Sequence, residues 1–231
     1  MKSWKAPILS WIALIGLGIL AQEWLDSFLQ YQLSFILINI TLALSLNLVN
    51  GITGQFSLGH AGFMAVGAYI SAFGLTHLHS EPNLGHFFLW ACLGGLGASL
   101  AGFIVGLPSL RLRGDYLAVV TLGFGEIIRV LALNIEAIGG ARGLPDIPAP
   151  PPLHLGSWQL SSFLQQFLHS GFWTLVCFFT CWRLVQSGVG RGFLSVREDE
   201  LAAESCGVPT TRAKIQSFML GSGFAGVAGA C

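Results

Sequence analysis

Glu126 and Arg129 stand inside Tyr116–Ile138, a stretch that is otherwise almost wholly apolar. At 1.5 Å per residue Glu126 lies about 16 Å from the start of that stretch, near the middle of a bilayer if the stretch spans one. A charge there costs at least about 2.5 kcal/mol, so it must face protein or water and find a partner. The two residues are spaced i, i+3 and can pair with each other. Two readings follow: a structural ion pair within a helix bundle, or the polar wall of a solute pathway. A second polar group, Gln55, Ser57 and His60, falls in Asn50–Gly62 (NGITGQFSLGHAG), where Gly51, Gly54, Gly59 and Gly62 interrupt two apolar runs and no Lys or Arg occurs. Non-helical backbone at membrane depth is tolerated only where protein or a water-filled cavity shields it, and such breaks often mark a solute site. The other reading is a tight cytoplasmic turn packing small residues. A third group is Arg197–Cys206 (REDELAAESC), a good helix former ended by Gly207 and Pro209. Its acids Glu198, Asp199 and Glu200 suit a first turn, and Ala202 and Ala203 offer a small flat face. It reads either as a solvated loop helix or as an element that docks into a partner's groove.

None of these groups is a catalytic constellation. The chain holds no phosphate-binding loop, and Gly188-Val189-Gly190-Arg191-Gly192 does not match one. It holds no His-Glu-x-x-His and no Gly-x-Ser-x-Gly. His77, His79 and His86 are irregularly spaced and read as interfacial loop histidines, so no metal is expected. Among the five cysteines, Cys177 and Cys181 share a helix face and read as packing residues.

The elements that must position these residues are apolar helices. Hydrophobic residues make up 53% of the chain and charged residues 10%, with mean hydropathy +0.69. A soluble domain carries roughly a quarter charged residues, so this chain cannot cover a solvated surface. Net charge is zero with no basic stripe, and no nucleic-acid partner is expected. Seven windows approach the roughly 20 apolar residues of a spanning helix: 6–21, 31–50, 60–78, 86–107, 115–138, 162–184 and 215–231. Glycines inside them, such as Gly94, Gly95, Gly97 and Gly102, read as close-packing faces. The first window could be a signal peptide, but Ile19-Leu20-Ala21 is a poor cleavage site, so an uncleaved helix is expected. With a cytoplasmic N-terminus, Lys2, Lys5, Arg111, Arg113, Arg191, Arg197, Arg212 and Lys214 fall inside and Arg142 outside, as the positive-inside rule requires. Pro145–Pro152 should be a stiff extended crossing on the outer side.

Four segments in order resemble the permease subunits of branched-chain amino-acid ABC importers of the LivM type. They are Asn47–Gly67 (NLVNGITGQFSLGHAGFMAVG), Leu110–Arg129 (LRLRGDYLAVVTLGFGEIIR), Gly139–Leu144 (GGARGL) and Gly192–Gly229 (GFLSVREDELAAESCGVPTTRAKIQSFMLGSGFAGVAG). Hydropathy and charge together describe an all-α, polytopic transmembrane helix bundle of about seven spans. Its N-terminus would be cytoplasmic, with a broken or re-entrant segment after the second span and a short cytoplasmic coupling helix. Residues 1–231 would form a single permease domain in the bacterial inner membrane.

By the same resemblance Arg197, Glu198, Glu200, Ala202, Ala203, Glu204 and Gly207 form the loop that contacts the ATPase. Leu201 stands where the general importer pattern has Glu, while Ala202, Ala203 and Gly207 match it. Gln55, Ser57, His60, Glu126 and Arg129 are the candidate pathway residues. The implied partners are ATP-binding cassette subunits, a second permease subunit, an extracytoplasmic solute-binding protein and the lipid bilayer. No cofactor is implied, since ATP is bound by a separate subunit. The resemblance also implies further spans beyond Cys231, so the domain reads as incomplete at its C-terminus. The competing reading is a self-contained channel or secondary carrier.

Overall fold

Each of the seven apolar windows holds one long helix in the computed structural model, which describes residues 5–78, 83–109, 115–150, 153–155 and 158–231. These are α1 (Lys5–Trp24), α2 (Ser27–Leu46), α3 (His60–His77), α4 (Leu84–Ser109), α5 (Asp115–Asn134), α6 (Ser162–Val185) and α9 (Thr210–Ala230). Two shorter helices, α7 (Gly188–Glu198) and α8 (Glu200–Ser205), precede α9. Among the described residues four helices are long and apolar enough to cross a membrane: Pro7–Trp24, Ser27–Ile52, Leu84–Leu107 and Tyr116–Asn134. The chain is therefore a multi-pass α-helical membrane protein. Helices α3 and α9 are richer in small and polar residues, and α6 buries the polar side chains of Gln165, His169, Ser170 and Thr174.

The centre is the trio α3, α4 and α9. Apolar contact gives little drive for helices to associate in lipid, so close packing must hold them. A Cβ on Gly67 of α3 would sit 2.1 Å from the Gly226 carbonyl of α9, and one on Gly102 of α4 would sit 2.0 Å from the Ser222 hydroxyl. Gly94, Gly95 and Gly97 also face neighbouring helices at contact distance, as the sequence led us to expect. Phe63, Ala98, Phe218 and Ala225 fill the layer around this contact.

Helix α2 packs on α6 and α9. There the Thr41 and Thr174 hydroxyls meet at 2.9 Å, and Thr174 also donates to the Leu37 carbonyl at 3.1 Å. Helix α1 lies on α6, with Trp11 and Phe172 rings 5.7 Å apart. Helix α5 leans mainly on α3 and leaves much of its surface outward. It stops at Asn134, earlier than the apolar window, where Ile135 is extended (φ −89°, ψ 106°); two 3-10 turns follow, with Gly139 and Gly140 at positive φ. Residues 143–150 run without regular structure, but the expected extended crossing is broken at Asp146, which takes φ +54°, and Pro151 and Pro152 lie outside the described residues. One small departure from an all-α fold follows: β1 (Leu153–Leu155) and β2 (Trp158–Leu160) pair antiparallel, with His154 opposite Gln159.

Candidate functional site

The break after α2 is built from loosened backbone bonding. Asn47–Ile52 forms a turn of π-helix. Thr53 then donates its hydroxyl to the Leu48 carbonyl, and the Gln55 amide reaches back to the Val49 carbonyl. Residues 53–59 run irregularly to the start of α3. Burial alternates along them: Thr53, Gln55 and Ser57 point into the protein, while Phe56 and Leu58 point outward. The Ser57 amide is held by the Asn50 side chain at 3.2 Å, and its buried hydroxyl has no partner among the described residues. His60 turns to α2, where its Nε2 lies 2.7 Å from the Ser45 hydroxyl. Ser45 Oγ also lies 2.8 Å from the Leu42 carbonyl, so one hydroxyl ties the start of α3 to the α2 backbone.

Glu126 and Arg129 pair at 2.8 Å. Their side chains are 57% and 61% exposed, so the pair opens to the outside of the protein rather than being sealed within it. It borders a cavity of about 310 Å³ between α3 and α5, walled also by Leu58, Gly62, Tyr69 and Leu122. Gln55, Ser57 and His60 do not line it. The five candidate pathway residues thus divide into a groove pair and three residues that brace the break. Thr121, on α5, joins the two parts: its buried hydroxyl accepts the Leu58 amide at 3.0 Å, and its carbonyl is 2.2 Å from where a Gly59 Cβ would be.

The expected single helix from Arg197 is instead two. Asp199 is extended (φ −159°, ψ 113°), and its carboxylate accepts the Leu201 and Ala202 amides at 2.9 and 3.0 Å. An aspartate that can satisfy free amides favours capping over helix interior. Arg197 and Glu198 therefore close α7, and α8 begins at Glu200. Gly207 ends α8 as anticipated: at φ +80° its amide bonds the Glu204 carbonyl while Val208 bonds that of Ala203.

The alanine face also differs from expectation. Ala203 is buried at 6% exposure, whereas Leu201, Ala202 and Glu204 face outward. Two of the charged residues are used internally. Glu200 meets Lys214 of α9 at 2.5 Å, largely shielded from solvent. Arg197 pairs with Glu198 and donates through Nη1 to the Gly51 carbonyl at 3.2 Å. Beneath them Leu48, Phe193, Val196 and Ala213 form one core cluster with Cys177 and Cys181, both buried free cysteines.

Sequence reasoning missed Lys214, Thr121 and the partnership of Gly51 and Gly54 with Arg197. A second cavity, of about 510 Å³, was missed too. It lies beneath residues 144–150 and is lined by Tyr69, Leu75, Phe87, Gln165 and His169. His169 Nε2 accepts the Trp173 indole proton there at 3.1 Å. His77 bonds Thr76 and His86 accepts the Asn83 amide; His79, Arg111 and Arg113 lie outside the described residues.

Comparison with known proteins gives a consistent result. The chain is 40% identical over 216 residues to the high-affinity branched-chain amino acid transport system permease protein LivM of Salmonella typhimurium, covering 84% of this chain and 49% of that protein. Identity to the Escherichia coli protein of the same name, and both coverages, are the same. The chain thus spans about half the length of the curated relatives it matches. No solved structure matches it. A family model described as branched-chain amino acid transport system / permease component matches residues 28–231, α2 through α9, and the chain belongs to that family.

Proposed function

We propose that this protein is the membrane-spanning permease subunit of an ATP-driven importer for branched-chain amino acids or similar small solutes. Family membership across 28–231 carries the reading. It works in the bacterial inner membrane, and residues 1–231 act as one permease domain. Seven spans with a cytoplasmic N-terminus put α7 and α8 on the cytoplasmic side, in agreement with Arg191, Arg197, Arg212 and Lys214. ATP is bound and hydrolysed by separate cassette subunits, a solute-binding protein delivers the solute from outside, and a second permease completes the pathway. The chain itself is not an enzyme and needs no cofactor.

The outward residues of α8, Leu201, Ala202 and Glu204, are the ATPase contact. Two clamps support that assignment: Glu200 to Lys214 and Arg197 to Gly51 hold α8 against the bundle and leave one face free. The α3–α5 groove with Glu126 and Arg129 is the pathway wall, completed by the second permease. Covering the pair in this way removes the cost of leaving two charges toward lipid.

The test is Ala202→Glu in the importer complex, read by co-purification of the ATPase subunits. We expect the ATPase to be lost while the variant permease accumulates normally. Full retention of the ATPase would refute the docking face. ATP-independent uptake by the purified protein in liposomes would favour a self-contained carrier instead.

A further inference from the structure

Gly51 lies at the end of the π turn, where helical carbonyls run out of backbone donors. Arg197, 146 residues away, supplies one. Glu198 takes the other edge of the guanidinium, through Nε and Nη2, which turns Nη1 toward Gly51. The next contact is tighter still. Gly54 has φ +72°, and a Cβ there would meet Arg197 Cγ at 2.8 Å and its Cα at 3.2 Å. The last turn of α7 is therefore pressed against both ends of Gly51–Gly54. Arg197 sits two residues before Asp199, the single extended residue between α7 and α8. At its far end the same connection grips α5, through the Leu58 amide on Thr121 and the Gly59–Thr121 backbone contact. Glu126 follows Thr121 by little more than one helical turn.

We propose that Arg197 is the positioning residue that couples α8 to the α3–α5 groove, by holding Gly51–Gly59 to the end of α7. A tilt of α8 about Asp199 pulls Arg197. Arg197 carries Gly51 and Gly54 with it, and the connection moves Thr121 and hence the face of α5 bearing Glu126 and Arg129. The proposal rests on the reading of α8 as the ATPase contact, and it makes Arg197 a transmitting group rather than a docking one.

Arg197→Gln and Gly54→Ala attack the contact from opposite sides. In the purified protein, amide hydrogen exchange at residues 51–59 should quicken about tenfold in Arg197→Gln, the loss of one charge-assisted bond. Arg197→Lys should restore part of the protection. In the importer complex both primary variants should keep the ATPase at wild-type level, yet binding-protein-stimulated ATP hydrolysis should fall about tenfold toward its basal rate. Unchanged exchange at 51–59 overturns the link, as does full stimulation with the ATPase bound. An ATPase that fails to co-purify even with the unaltered chain overturns the docking reading instead, and the exchange measurement then still judges the Arg197 contact.

Discussion

Ser57 and Lys214 set opposite expectations for buried polar side chains. The Ser57 hydroxyl is buried without a partner among the described residues, so its desolvation is not offset. Ser57→Ala should leave stability unchanged or raise it by up to about 1 kcal/mol, read as thermal unfolding in detergent. A clear loss would mean that the hydroxyl has a partner the geometry does not reveal. Lys214 is the reverse case, since its ammonium is nearly buried and satisfied by Glu200. Lys214→Met leaves that carboxylate poorly solvated and should cost about 1–3 kcal/mol. The double variant Lys214→Met, Glu200→Gln should recover most of the loss, because no lone charge remains. A double variant as unstable as the single one would show that the pair contributes packing and not charge balance. Arg129 and Glu126 could be found from sequence because a charge in an apolar run is conspicuous. The Glu200–Lys214 pair could not, since both residues look like ordinary loop charges until α9 brings them together.

Helices of this protein were legible because apolar length encodes them directly. Their faces were less so. Ala202 and Ala203 are equivalent in the sequence, yet one residue is about 100° of helix rotation, and only the position of α9 decides that Ala203 turns inward. The single helix expected from Arg197 failed for a local reason, the capping carboxylate of Asp199. Gln55, Ser57 and His60 read as one polar group because they are close in sequence; Gln55 and Ser57 do share the inward side of the break, but both turn away from the α3–α5 cavity, and His60 opens a helix that turns it to α2. Glycines were the most informative small residues, though not uniformly. A Cβ on Gly67 meets the Gly226 backbone, whereas one on Gly16 in α1 meets nothing within 4 Å. Gly67→Leu should therefore force α3 from α9 and cost about 1–3 kcal/mol or more, seen as a lower unfolding temperature and faster proteolysis. Gly16→Leu should leave both unchanged. Equal behaviour of the two variants would remove the close α3–α9 contact as the organising feature of the bundle.

At the scale of the molecule, the docking face, the Arg197 link and the groove all depend on which side of the membrane holds α8, and native cysteines can report it. Cys206 is exposed just after α8, at the end of the molecule that carries Arg191, Arg197 and Arg212. Cys92 is also exposed, but it lies about 12 Å along α4 from Leu84, within the depth of hydrocarbon. A charged, membrane-impermeant reagent does not enter hydrocarbon, so Cys92 should stay silent from either side. Cys177 and Cys181 are buried in the core and should be silent too. A membrane-impermeant maleimide should therefore label Cys206 in inverted vesicles and not in intact spheroplasts. Ile147→Cys in a Cys206→Ser background should give the opposite pattern, because Ile147 is exposed on the far side of α5 from the basic end. Labelling of Cys206 from outside would invert every span at once. It would place α8 where no ATPase can reach it, and the docking face and the proposed role of Arg197 would fall together, while the helix packing and the Glu200–Lys214 clamp would stand.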